Sequence, residues 1–226
     1  MEQAMLYTRD YIFIHFPKAA GKTLTRYFLG CWKGERTKGY VSKGQLTEVA
    51  DLMDVDVDLE LGNAHMDLRE SLETFSASEF GTAEPRAIFI CSRNPYDLAV
   101  STYFFQRATY EDNKGRKNFE LASRLSLKEY WRSLPPISPQ NYFSITGSTP
   151  DNLEVIRFER LEDDLRSVCR RYGFQCPELE HLNATQHDHY TKYYDAELEK
   201  MIFERYRFFF DNGFYERETF ARGDDN

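Results

Sequence analysis

The segment His15-Phe16-Pro17-Lys18-Ala19-Ala20-Gly21-Lys22-Thr23 carries the densest chemistry in the chain. It joins a short β-branched and aromatic run, Tyr11–His15, to a stretch with helical spacing from Lys22 to about Trp32. Where a strand gives way to a helix, the first backbone N–H groups point at one spot and the helix dipole favours negative charge there. Gly21 admits close backbone approach, Lys18 and Lys22 add mobile positive charge, and Thr23 adds a hydroxyl. This suits a phosphate or a similar anion. The match to the nucleoside triphosphate loop GxxxxGK[ST] is incomplete, because the position five before Gly21 is Phe16. A kinase site also needs a magnesium-binding Asp at a strand end, whereas the two most apolar strands continue into Lys18 and Arg93.

A second anion motif lies in Cys91-Ser92-Arg93-Asn94-Pro95-Tyr96-Asp97-Leu98-Ala99-Val100-Ser101. It places an Arg at the end of a buried run and a Ser two turns into the next helix. A guanidinium fork binds phosphate in bidentate fashion and a hydroxyl completes the coordination. Taken alone, an Arg such as Arg93 is more often a structural ion-pair residue. Parallel strands would put Lys18 and Arg93 on one carboxyl edge of a sheet, where ligands of open α/β folds bind. Two such sites imply a ligand that is anionic at both ends. His187 and His189 flank Asp188, but no further ligands stand at metal-site spacing, so that pair reads as a surface loop.

These segments resemble the sulfotransferase family that uses 3′-phosphoadenosine 5′-phosphosulfate (PAPS). Phe16-Pro17-Lys18-Ala19-Ala20-Gly21-Lys22-Thr23 is similar to the family's 5′-phosphosulfate loop, and Arg93-Asn94-Pro95-Tyr96-Asp97 with Ser101 is similar to its 3′-phosphate motif. Phe158–Leu165, His181-Leu182-Asn183-Ala184-Thr185 and the aromatic C-terminal helix resemble the carbohydrate-type, Golgi-like branch, so the likeness spans roughly residues 10–215 of a single domain covering 1–226. The resemblance implies that Lys18, Ala20, Gly21, Lys22, Thr23 and the backbone at Leu24 hold the 5′-phosphosulfate, and that Arg93 and Ser101 hold the 3′-phosphate. It also implies that Asn183 and Thr185 belong to a loop closing over the cofactor. In that branch a histidine in a comparable Gly-x-x-His context serves as base, which makes His65, in Leu61-Gly62-Asn63-Ala64-His65-Met66, the candidate here. A hydrogen-bonded structural histidine is the competing reading, and His15 is placed to orient the loop. Two positions depart from the family pattern: Ala19 stands where a Thr or larger residue is frequent, and Lys22 where many members have Thr or Ser.

The implied reaction moves a sulfuryl group in line from a phosphate leaving group to an acceptor hydroxyl, with a saccharide or small molecule as acceptor. Charge growing on the leaving phosphate is met by fixed cations and N–H donors, with Lys18 foremost, and no metal is required. A neutral imidazole suits removal of the acceptor proton near neutral pH. The alternatives are a P-loop kinase using ATP and magnesium, and a noncatalytic nucleotide-binding protein.

The elements that must position these groups repeat a strand–helix order. Ala87–Ser92 is a nearly continuous apolar run, as in a strand buried on both faces. Asn94 and Pro95 then start a helix through Tyr103 to Arg107. Ser126–Ser133 reads as a helix stopped by Pro135-Pro136, Leu153–Phe158 as a strand, and Leu161–Tyr172 as a helix ended by Gly173. A last helix from Asp195 carries Leu198, Met201, Ile202, Tyr206, Phe209 and Phe210 as a core stripe and ends at Gly213. Residues 33–60 are charged and glycine-punctuated, with a weak helix near Leu46–Leu52 and a solvated acidic run Asp54–Asp58, residues 109–120 are expected as a surface loop, and both stretches are expected as acceptor loops. The expected fold class is α/β, a three-layer P-loop-like fold with a central, mostly parallel sheet flanked by helices.

A chain of 226 residues with 41% hydrophobic and 15% aromatic residues is long and apolar enough for a substantial core. With 29 Lys and Arg against 37 Asp and Glu, the net charge of −8 speaks against a nucleic-acid partner, so an anionic ligand must be held by local cations. Nowhere do eighteen apolar residues run together, and Met1–Asp10 lacks a basic start followed by an apolar run. The expectation is a soluble cytoplasmic protein with no membrane insertion, unlike the Golgi members of the branch. The four cysteines, Cys31, Cys91, Cys169 and Cys176, form no CxxC and read as reduced thiols, with a Cys169–Cys176 bridge left to geometry.

Overall fold

The structure is a computed structural model and describes residues 4–41, 56–81, 84–179 and 187–220. The chain divides into two compact units, Met1–Ser92 with Asn141–Leu182, and Arg93–Gln140 with Asn183–Asn226.

The first unit holds all six strands: β1 (Ala4–Tyr7), β2 (Tyr11–Ile14), β3 (Thr37–Val41), β4 (Val57–Leu61), β5 (Ala87–Ser92) and β6 (Leu153–Arg157), in the order β4-β3-β1-β2-β5-β6. β2 pairs parallel with β5, β5 with β6 and β3 with β4, while β1 is antiparallel to both its neighbours. Five strands therefore share one direction. The sheet is mostly parallel and flanked by helices, the α/β architecture expected from the strand–helix alternation. Every residue of β2 and β5 is buried, as continuous apolar runs in a parallel sheet must be.

Helix α1 (Gly21–Cys31) presents Leu24, Tyr27, Phe28 and Cys31 to the core at three-four spacing. Phe28 packs its ring 5.0 Å from Phe13 of β2 and 4.9 Å from Phe89 of β5. Helix α2 (Leu68–Ala77) starts in a reciprocal capping box between Asp67 and Glu70, a start that the sequence reading passed over.

Two strands and a hairpin correct the expected layout. The fold begins at Ala4, upstream of residue 10, because β1 turns back into β2 through Thr8, whose amide donates to the Tyr11 carbonyl at 2.9 Å. Residues 33–60, expected as a loop region with one weak helix, contain β3 and all but the last residue of β4. The exposed Asp58 and Glu60 of edge strand β4 agree with a solvated acidic face. The weak helix expected at Leu46–Leu52 lies outside the described residues.

The second unit is helical: α3 (Pro95–Ala108), α4 (Lys117–Arg124) and α5 (Leu127–Ser133) precede α7 (Ala196–Arg205) and α8 (Arg207–Asp211), with α6 (Leu161–Tyr172) belonging to the first unit. The expected loop 109–120 is corrected by α4, whose Phe119 and Ala122 are buried three residues apart on one face. The single C-terminal helix is broken at Tyr206, which caps α7 and precedes α8. Arg205 is held there by the carbonyls of Trp131, Leu134 and Pro135 at 2.6 to 2.7 Å. The aromatic stripe is core as expected: Leu198, Ile202, Tyr206 and Phe209 are buried, and Met201 and Phe210 half-buried. No helix among the described residues is long and apolar enough to cross a membrane.

Candidate functional site

The turn between β2 and α1 is built in an unusual backbone conformation. Lys18 and Ala20 are both left-handed, at φ 62° and φ 54°, which costs each residue about 1–2 kcal/mol relative to right-handed backbone. Residues of mixed hand are the backbone pattern of an anion-binding nest, and the Ala19 amide between Lys18 and Ala20 donates to the Phe16 carbonyl at 3.4 Å. Ala20 is the N-cap of α1 and has no polar side chain with which to cap the first amides. Thr23 is buried, whereas Lys18 and Lys22 are half-exposed. The Leu24 amide donates to the Ala20 carbonyl at 3.0 Å, so it belongs to the helical ladder of α1.

Gly21 is required by a neighbour rather than by its own dihedrals. A Cβ built there would lie 1.7 Å from His15 Nε2 and 1.9 Å from its Cδ2, so the imidazole lies directly against the backbone of the loop. Gly21→Ala must expel that ring from a packed site, with an expected loss of about 1–3 kcal/mol in urea unfolding. Unchanged stability in that variant would contradict the contact.

His15 is 1% exposed, and its Nδ1 has no hydrogen-bond partner among the described residues. Burial, then the nearby His65 and Lys18, hold its pKa well below the usual histidine value, so the ring is neutral. The His65 ring stands 4.4 Å from it, centroid to centroid.

His65 sits in the turn between β4 and α2 and is fixed from three sides. Its amide donates to Asn63 Oδ1 at 3.0 Å, its carbonyl accepts from Tyr142 Oη at 2.9 Å, and its Nδ1 is 3.3 Å from the His15 carbonyl. A carbonyl only accepts, so Nδ1 carries the proton and the lone pair of the neutral ring is on Nε2. Burial lowers the His65 pKa, opposed by the His15 hydrogen bond. Tyr142 and Phe143 also pack on the loop residue Phe16, at 5.1 and 5.2 Å between centroids. The first unit therefore gathers the left-handed turn, Lys18, the two imidazoles and Tyr142 into one constellation. Tyr142 was not foreseen, because it follows Pro139 in a 3-10 turn with no periodic pattern to reveal it.

In the second unit, Asn94 caps α3 by accepting from the Tyr96 amide at 2.9 Å, with Pro95 in the first helical position, as the sequence indicated. Arg93 Nε donates to Asp97 Oδ2 at 2.8 Å and its Nη1 to Ser101 Oγ at 3.1 Å. Both members of the ion pair are mostly buried, with side chains 12% and 17% exposed, so the guanidinium is held in one orientation. Arg93 and Ser101 are thus brought together, and Asp97 fixes the fork.

The C-terminal segment supplies a contact that the sequence did not signal. Glu218 accepts from Asn94 Nδ2 at 2.7 Å and from Tyr190 Oη at 2.9 Å, and Arg217 pairs with the buried Glu199 at 2.9 and 3.0 Å. Glu199 in turn accepts from Tyr96 Oη at 3.0 Å. These residues tie the chain's last described stretch to the first turn of α3. His187 and His189 bond locally, to the Asp188 carbonyl and to Thr191 Oγ1. Asn183 and Thr185 lie outside the described residues.

No protein-family model and no curated protein sequence matches the chain. Among solved structures, the chain is similar to mouse sulfotransferase SULT7A1 complexed with PAP, with a TM-score of 0.36 and 16% identity over 88% of this chain. It spans 64% of that structure's length.

Proposed function

We propose that this chain is a sulfotransferase that moves a sulfuryl group from PAPS to an acceptor hydroxyl, with a weakly charged saccharide as the acceptor. The observation that carries the proposal is the left-handed Lys18–Ala20 turn at the start of α1, set beside two neutral imidazoles. In this reading Lys18, Ala20, Gly21, Lys22 and Thr23 hold the 5′-phosphosulfate, and Arg93 with Ser101 holds the 3′-phosphate. Asn183 and Thr185 are assigned to the closing loop. PAPS supplies the activated sulfuryl group, and the chain's own residues orient it and manage charge and proton. Lys18 meets the negative charge that develops on the leaving phosphate, and His65 takes the acceptor proton on Nε2. The net charge of −8 supports an acceptor of low charge over a long, highly sulfated polyanion.

Thermal stabilisation by 3′-phosphoadenosine 5′-phosphate, against adenosine 5′-phosphate and ATP with magnesium, tests the cofactor. A ligand at a hundredfold excess over its Kd adds about 2.7 kcal/mol. The 3′-phosphorylated nucleotide is expected to stabilise most, and Arg93→Ala to weaken it about 10–100-fold, as for loss of a charged hydrogen bond. Stabilisation by ATP with magnesium alone would overturn the proposal, and unchanged affinity in Arg93→Ala would overturn the 3′-phosphate assignment.

A further inference from the structure

Two of the four cysteines meet one tyrosine, and a third lies beside them. Tyr27 Oη of α1 lies 3.2 Å from Cys169 Sγ and 3.5 Å from Cys176 Sγ, and Cys31 Sγ lies 4.0 Å from Cys169 Sγ. All are free thiols in this structure. The convergence has a backbone cause. Gly173 takes the left-handed conformation at φ 74° and ends α6, and the Phe174 amide turns back to the Cys169 carbonyl at 3.0 Å. The chain therefore doubles back, and Cys176, seven residues after Cys169, returns to the same Tyr27 hydroxyl.

Exposure divides the three. Cys176 is exposed, whereas Cys169 is 2% and Cys31 9% exposed. Burial also raises the thiol pKa of Cys31 and of Cys169, keeping both protonated and slow toward an oxidant in solution. An oxidant thus meets one thiol, and a second thiol lies against the same Tyr27 hydroxyl. That is the layout of a reactive cysteine with a resolving partner.

We infer that Cys176 and Cys169 form an oxidation site for a peroxide-class oxidant, closing to a reversible disulfide. In the first step the Cys176 thiol and hydrogen peroxide give Cys176 sulfenic acid and water. In the second the Cys169 sulfur attacks the sulfenic sulfur, the S–S bond forms, and the departing hydroxide leaves as water with the Cys169 proton. The Tyr27 hydroxyl touches both sulfurs and is placed to pass that proton. Closure shortens the sulfur separation to about 2.05 Å, a movement open to the turn beyond Gly173. Cys31 remains a thiol because Cys169 is consumed by the nearer route to solvent. The inference is independent of the proposed sulfuryl transfer.

The test is to treat the full native chain with hydrogen peroxide, alkylate the remaining thiols and map the peptides by mass spectrometry. The expected product is two hydrogens lighter than the starting chain, links the Cys169 and Cys176 peptides, and reverts with dithiothreitol. Cys91, buried in β5, serves as the internal control and should be alkylated only after unfolding. Cys176→Ser changes an exposed position and should fold; thiol loss is then expected to slow at least about tenfold. Oxidation of Cys176 to the sulfinic acid without a cross-link would overturn the assignment. So would a Cys31–Cys169 link as the main product, or thiol loss at the wild-type rate in Cys176→Ser.

Discussion

Lys18→Ala is expected to lower kcat for sulfuryl transfer by about 10²–10³, the usual effect of deleting one donor aimed at developing negative charge. The substitution isolates charge from conformation. Lys18 sits at φ 62°, and Lys and Ala bear a similar penalty there, so the turn should keep its shape. The side chain is half-exposed, and truncating it opens no core cavity. Nucleotide affinity should fall less than kcat, because in the proposed reading Gly21, Lys22 and Thr23 still hold the anion. Removing the charge also removes one of the influences that depress the His15 pKa, so that ring should titrate at higher pH in the variant. The assay is a kcat measurement at saturating PAPS, paired with binding of 3′-phosphoadenosine 5′-phosphate. Wild-type kcat would remove Lys18 from the chemistry, and an equal loss in binding and turnover would make it a binding residue only.

The parts legible in the sequence were those with strong local signals. β5 could be read because six consecutive small and apolar residues, Ala87–Ser92, admit little but a doubly buried strand. α3 could be read from Asn94 and Pro95, since capping and the proline constraint act within one turn. Ser126 and Glu129 form the reciprocal box that starts α5 on the same principle. The Asp67–Glu70 box of α2 was an equally local signal, whereas other parts that were not legible depend on tertiary partners. β1 is four residues long and becomes a strand by pairing with both β2 and β3, a property that no window of its own sequence contains. β4 is an edge strand with an exposed Leu61 and acidic neighbours, so its composition reads as loop. In the candidate site, Lys18, Gly21 and Arg93 stood out by type and spacing. The reason for Gly21 did not, because the His15 ring that excludes a Cβ is visible only once the turn is folded. Tyr142 and Glu218 act over separations of 77 and 124 residues, to His65 and to Asn94, beyond the reach of any motif.

His65→Ala is expected to reduce transfer by about 10²–10⁴, the range for loss of a positioned general base, with nucleotide binding retained. The pH dependence separates a base from a structural imidazole. Burial lowers the folded pKa of His65, so the catalytically competent neutral form persists to lower pH than in a free histidine. The acid limb of kcat/KM should therefore lie below the ordinary value of about 6.5 in the wild type and vanish in His65→Ala. Added imidazole should restore part of the rate in the variant, because the cavity left by the ring admits the missing base. A purely structural role would lower the rate without removing the limb and without rescue. Stability sets the window for the measurement. His15 and His65 both bind protons less readily in the fold than in the unfolded chain, so the unfolded state gains protons as pH falls through 6.5. Folding free energy must then decline as pH drops below that value and is fully present above it. The rate profile must be taken where unfolding curves show the chain native, and there an acid limb that survives in His65→Ala would assign the proton transfer to another group.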